Sequence, residues 1–173
     1  MIFMMASSLS YGQKRSFAVR SNVTGNFKPR LLNITELNAG IGYYVLDRDY
    51  TKRFINMTSV LGAGLAKNLT GGIGAGVSLY DAGTLFPLFA DFRYFFNLGQ
   101  TRVFVFVDGG ILLNSISKVG ERVLFMSPGA GMSLPLSDNL SASLGAGLFK
   151  QFRQEDNSDD SFVRIKLGII YLF

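Results

Sequence analysis

Six charged residues stand singly in apolar or glycine-rich surroundings: Glu36, Asp91, Arg93, Asp108, Arg164 and Lys166. Three are carboxylates and three are cations. Such a set suits mutual ion pairing or, if hydrated, the relay of a proton or ion. The chain has no histidine and no cysteine. That removes the commonest general base, the commonest transition-metal ligand and all thiolate chemistry. A second acidic group, Glu155, Asp156, Asp159 and Asp160, offers the hard oxygen ligands that calcium takes. It lacks the spacing and glycine of a calcium-binding loop and reads as a solvated loop tip. The run Gly71 to Gly76 has the wrong spacing for a dinucleotide fingerprint and no helix after it. No cofactor, metal or nucleic-acid partner is expected.

The elements that must position these charges follow from composition and period. The chain has 173 residues, 48% hydrophobic and 17% charged, with 20 glycines, 16 phenylalanines and 7 tyrosines. After the N-terminus no run of about 18 uncharged apolar residues occurs, so the apolar content does not form a transmembrane helix. From Thr35 onward the sequence instead falls into eight segments of roughly ten residues that alternate apolar and polar, as transmembrane barrel strands do. They run about Thr35 to Val45, Phe54 to Ala66, Thr70 to Tyr80, Phe86 to Phe96, Arg102 to Leu113, Val123 to Leu136, Leu140 to Phe152 and Phe162 to Phe173. Pro128 falls inside the sixth segment and has no N–H, so a bulge or a broken ladder bond is expected there.

One face of each segment carries Leu, Ile, Val, Phe and Ala. The other carries mostly Gly, Ser and Asn, with the six isolated charges. A water-facing exterior would be rich in Lys and Glu, so the polar face reads as a lumen and the aliphatic face as the lipid side. This predicts an all-β fold, an eight-stranded antiparallel up-and-down transmembrane β-barrel. Glycine in so narrow an interior leaves space for large or charged neighbours. Adjacent strands are expected to pair Glu36 with Arg164 and Lys166, and Arg93 with Asp108, because buried charge requires partners. An internal ion-pair network is the favoured reading over a proton or ion pathway.

Tyr43, Phe54, Phe86, Tyr94, Phe96, Phe152, Phe162, Tyr171 and Phe173 lie near segment ends and read as interface girdles. The links near Lys67 to Thr70, Asn97 to Thr101 and Leu136 to Asn139 are tight. Those at Asp47 to Arg53, Asp81 to Leu85, Asn114 to Arg122 and Arg153 to Ser161 are longer and more charged, as outward loops are. Arg48, Lys52, Arg53, Lys118 and Arg122, with Lys150 and Arg153, would stand on that outer rim, able to meet lipopolysaccharide phosphates. The competing reading is ordinary solvated loop charge.

The barrel is assigned to residues 34–173. Residues 1–12, MIFMMASSLSYG, read as a signal peptide, truncated to judge by the missing positive start. Residues 13–33 form a basic periplasmic lead-in that contains Lys14, Arg15, Arg20, Lys28 and Arg30.

The final residues, Lys166 to Phe173, place a polar residue at Lys166, glycine at Gly168 and aromatic residues at Tyr171 and Phe173. This resembles the assembly signal of bacterial outer-membrane proteins, and the resemblance implies the barrel assembly machinery as a transient partner. The span from about Ile34 to Phe173 is similar to the small outer-membrane β-barrels of the OmpA/OmpX type, and in its Gly-x-Gly hairpins to porin-family barrels of the Bacteroidetes type. The resemblance implies residence in the bacterial outer membrane, among its lipid and lipopolysaccharide. Barrel enzymes of such membranes rely on histidine, which this chain lacks, so a non-enzymatic structural or surface-interaction role is expected. The alternative is an accessory subunit of a larger outer-membrane transport or export complex. An open pore is disfavoured, since eight strands enclose a lumen that side chains fill.

Overall fold

The computed structural model describes residues 29–44, 52–81, 83–99, 101–114, 122–152 and 159–173. Eight antiparallel strands follow one another around a closed barrel: β1 Leu31–Tyr44, β2 Arg53–Ala66, β3 Leu69–Tyr80, β4 Gly83–Leu98, β5 Thr101–Asn114, β6 Arg122–Pro135, β7 Leu140–Phe152 and β8 Asp159–Leu172. Each strand pairs with its sequence neighbours, and β8 pairs with β1, so no ladder edge is left exposed. In a bilayer that closure is required, because lipid cannot satisfy free N–H and C=O groups.

The register fixes the barrel's shape. From Leu32 the pairs run to Gly62, Gly72, Asp91, Asp108 and Ser127, across β7 at Phe149, to Phe162, and back to β1 at Gly42. The return point lies ten residues along β1 from the start. Eight strands with that stagger tilt by about 40° and close at a radius of about 8 Å, wide enough for side chains alone.

Strand interiors are built as the alternation predicts, while their ends differ. β1 begins at Leu31, four residues before the periodic pattern becomes legible, and Leu32 and Ile34 already point into the lumen. β3 and β4 are separated only by positions 81 and 82, so the link expected over Asp81 to Leu85 is a tight turn. On the terminal side, Gly99 takes a left-handed φ of 64° in the two-residue link between β4 and β5, a conformation that glycine adopts without steric cost.

Proline interrupts two ladders. The β6–β7 register skips from Met126↔Lys150 to Gly129↔Gly147 without shifting, which sets Leu148 opposite Pro128. The Leu148 carbonyl accepts a hydrogen bond from the Ser127 hydroxyl, which stands in for the N–H that proline lacks. Pro87 leaves the same kind of gap between Ala75↔Leu88 and Ser78↔Leu85. That break was legible in principle, since Pro87 lies within the fourth periodic segment.

Candidate functional site

The lumen follows from side-chain parity. In β4 the odd positions Phe89, Asp91, Arg93 and Phe95 point inward, and in β5 the even positions Phe104, Phe106 and Asp108 do so. All six charges singled out in the sequence are buried here. The register makes Asp91 and Asp108 direct cross-strand neighbours, a like-charge pair that cations must offset.

Arg93, fully buried, supplies much of that compensation. Its Nε and Nη2 donate to Asp91 (2.8 Å for the shorter pair with Oδ2), and its Nη1 reaches across the lumen to Glu36 Oε1 at 2.9 Å. Lys166 bridges Glu36 and Asp108, each at 2.9 Å, and Arg164 closes the set on Asp108. The connectivity differs from the nearest-strand expectation. Arg164 pairs with Asp108 rather than Glu36, and Arg93 pairs with Asp91 and Glu36 rather than Asp108. Arg93 and Asp91 sit two apart on one strand and share a face, so a bidentate contact forms locally. The remaining Arg93 nitrogen is then free to cross a lumen of small radius.

Each cation also rests on an aromatic ring. Arg93 lies 5.5 Å from the Phe104 centroid, Lys166 lies 4.2 Å from Phe106, and Arg164 lies 5.4 Å from Phe149. Such contacts gain strength in a desolvated interior. Beside the charges, Asn38 donates to Asn56 Oδ1 at 2.6 Å and to Thr58 Oγ1 at 3.3 Å.

Aromatic packing closes the lumen on both sides of the network. Toward the loop end, Phe54 stacks against Phe149 at 5.1 Å and Phe162 at 5.3 Å, Phe125 meets Phe149 at 5.1 Å, and Gln151 donates to the Tyr80 hydroxyl. Toward the terminal end, Phe95 meets Phe104 at 5.4 Å among Leu32, Ile34, Val60 and Ile170. Phe54 and Phe162 are thus lumen residues and not girdle residues. They share parity with Asn56 and Arg164, a signal that position near a strand end obscured. The glycines make the room. A Cβ on Gly40 would lie inside the Phe54 ring, and one on Gly74 would meet Phe89 at 2.5 Å.

Outside, Leu37, Ile55, Ile73, Leu88, Val105, Met126, Leu144 and Ile165 form part of an aliphatic band, with Tyr94, Phe96, Tyr171 and Phe173 at its terminal-side rim. An exposed apolar belt of this extent around a closed ladder fits hydrocarbon and not water. The chain is a transmembrane β-barrel.

Solved structures agree on the fold. The N-terminal β-barrel domain of Pseudomonas aeruginosa OprF superposes with a TM-score of 0.52 at 17% identity, covering 84% of this chain and 100% of that one. Neisserial surface protein A superposes with a TM-score of 0.55 at 11% identity, covering 84% of this chain and 97% of that one. No family model matches the chain, and no curated protein matches it in sequence.

The remaining sequence-predicted positions divide between the two ends. Gly168 lies in β8 beside Glu36, and Tyr171 and Phe173 lie edge-to-face at 5.2 Å on the outer surface. Lys52 and Arg53 are exposed at the loop end of β2. Lys150 pairs with Asp159 at 2.8 Å and lies over Phe152, while Asp160 is buried. Arg48, Lys118, Arg153, Glu155, Asp156, residues 1–28 and the Arg122 side chain lie outside the described residues. Sequence reading passed over the lumen rings Phe89, Phe125 and Phe149, whose parity with neighbouring polar residues was the available sign.

Proposed function

We propose that this chain is an integral, non-enzymatic outer-membrane protein of a Gram-negative envelope, a closed scaffold whose outward loops make its contacts. The observation that carries the reading is a lumen plugged by aromatic rings above and below an ion-paired centre, inside a complete apolar belt. Among the described residues each of the six lumen charges has an ion-pair partner, which supports a filled scaffold over a water channel or a site that acts on a substrate. Without histidine in the chain, the commonest general base is also missing. Lys52 and Arg53 at the loop end of β2, Arg122 at the start of β6, and Arg48 and Lys118 in the sequence between strands support a basic rim suited to lipopolysaccharide phosphates. The Lys166, Gly168, Tyr171 and Phe173 pattern supports insertion by the barrel assembly machinery.

Expression in a Gram-negative host tests this. The protein should fractionate with outer membranes, need detergent for extraction, shift in gel mobility on heating and give no conductance steps in planar bilayers. A chain that stays soluble without detergent contradicts the reading.

One feature favours an accessory subunit as the second reading. Lys14, Arg15, Arg20, Lys28 and Arg30 precede the barrel with no acid among them, a basic segment suited to an acidic periplasmic partner or anionic lipid heads. Recovery of stoichiometric partners from native membranes, lost on neutralising these five cations, would support it over a solitary scaffold.

A further inference from the structure

In the middle of the outward face, the described side chains are apolar or small apart from one polar group on β1 and β2. Asn33 Nδ2 donates to Ser59 Oγ at 3.0 Å and to the Val60 carbonyl at 3.2 Å, and Thr35 Oγ1 donates to Asn33 Oδ1 at 3.1 Å. Thr35 and Ser59 stand directly opposite each other in the ladder. Ser59 is the seventh of the 14 residues of β2, so at the strand tilt it lies roughly 15 Å from either end along the barrel axis. With an apolar band about 25 Å tall, that is the middle of the hydrocarbon. Lipid ester and phosphate groups lie at the band's edges and do not reach it.

The group's own bonds leave a specific remainder. Both hydrogens of the Asn33 amide are committed. Within these contacts Ser59 Oγ only accepts and Thr35 Oγ1 only donates, so the Ser59 hydroxyl keeps a donor to offer, and Thr35 Oγ1 and the second lone pair of Asn33 Oδ1 keep acceptors. A free donor beside free acceptors is self-complementary under a twofold axis. Two copies facing each other through β1 and β2 each give the Ser59 proton to an oxygen of the other. On the β3 side Ala75 and Gly71, which pair with Ser59 and Ala63, leave a hollow beside the group, while Met57, Leu61 and Leu37, each more than half exposed, flank it and interdigitate with the partner copy. Ile73, the most exposed large apolar side chain among the described residues at 75%, projects between Gly71 and Ala75 as a knob.

We infer that the β1–β2 face is a contact surface for a second copy of this chain within the membrane. The inference rests on the membrane reading above. Because the chain has no cysteine, single cysteines report the contact directly. Leu61→Cys, beside the polar group, and Val107→Cys, on β5 across the barrel, are reconstituted separately in phosphatidylcholine vesicles and oxidised with copper phenanthroline. Disulfide-linked dimer should form at least about tenfold faster at Leu61→Cys, and adding Asn33→Leu with Ser59→Leu should remove the excess, as loss of interhelical-type hydrogen bonds in lipid does by about 3- to 30-fold each. Ser59→Ala, which removes only the hydroxyl, should act in the same direction. Heat-modifiable mobility checks the fold of each variant, and flotation with vesicles checks the membrane reading separately. Equal rates at the two sites, monomer throughout, or undiminished cross-linking without the polar group would overturn the inference.

Discussion

Arg93 on β4 and Glu36 on β1, 57 positions apart in sequence, meet across the lumen at 2.9 Å with both side chains buried. The contact ties opposite walls of the barrel together. Glu36 keeps Lys166, but Asp91 loses the cation that offsets it beside Asp108, so Arg93→Leu should destabilise the barrel by about 3–5 kcal/mol. Urea unfolding in detergent micelles, followed by circular dichroism, measures the loss.

A compensated variant separates charge balance from packing. Arg93→Leu combined with Asp91→Leu leaves Glu36 and Asp108 with Lys166 and Arg164, two of each sign. The double variant should be more stable than Arg93→Leu alone, a coupling of at least about 1 kcal/mol in a thermodynamic cycle. Simple addition of the two single effects would show that the charges do not act as one network.

The glycine–phenylalanine fit predicts a contrast between the two faces. Gly40→Ala places a methyl in the Phe54 ring and should cost about 1–3 kcal/mol by overpacking, with recovery when Phe54→Leu is added. Gly109→Ala meets only the Phe125 carbonyl, at 3.8 Å, and should change stability by less than about 0.5 kcal/mol. Equal costs would mean that backbone freedom, rather than lumen space, explains these glycines.

The Ser127 substitution for the missing Pro128 N–H is testable by cycle as well. Ser127→Ala should cost about 1–2 kcal/mol by leaving the Leu148 carbonyl unpaired. In a Pro128→Val background, where position 128 regains an N–H, that cost should fall by more than half. An unchanged cost would place the value of Ser127 elsewhere.

Side-chain parity was readable throughout because a period of two survives local irregularity. Parity alone places Glu36, Asp91, Arg93, Asp108, Arg164 and Lys166 on the lumen face. Their pairing was not readable. It depends on the ten-residue stagger and on side-chain reach, and Arg93 spans the narrow lumen to a strand that is not its neighbour. Phe54 and Phe162 were misplaced for a different reason. Near strand ends, an aromatic residue fits either a girdle or a plug, and the decision lies in the parity of the residue two positions on, Asn56 and Arg164. The tight turn at Asp81 was hidden because Thr84 and Leu85 continue β4 without a strong alternating pattern, and Leu31 to Ile34 joined β1 through pairing with β2 and β8.

The central claim is that the aliphatic face meets lipid and the ionic and aromatic face meets itself. The chain contains no tryptophan, so single indoles give an unambiguous reading in vesicles of brominated-chain phospholipid. Ile165→Trp, on the outward face of β8, should be strongly quenched, and Phe95→Trp, in the terminal half of the lumen, should not. Quenching at Phe95→Trp with protection at Ile165→Trp, or equal exposure of both to an aqueous quencher, would contradict the assignment of inside and outside.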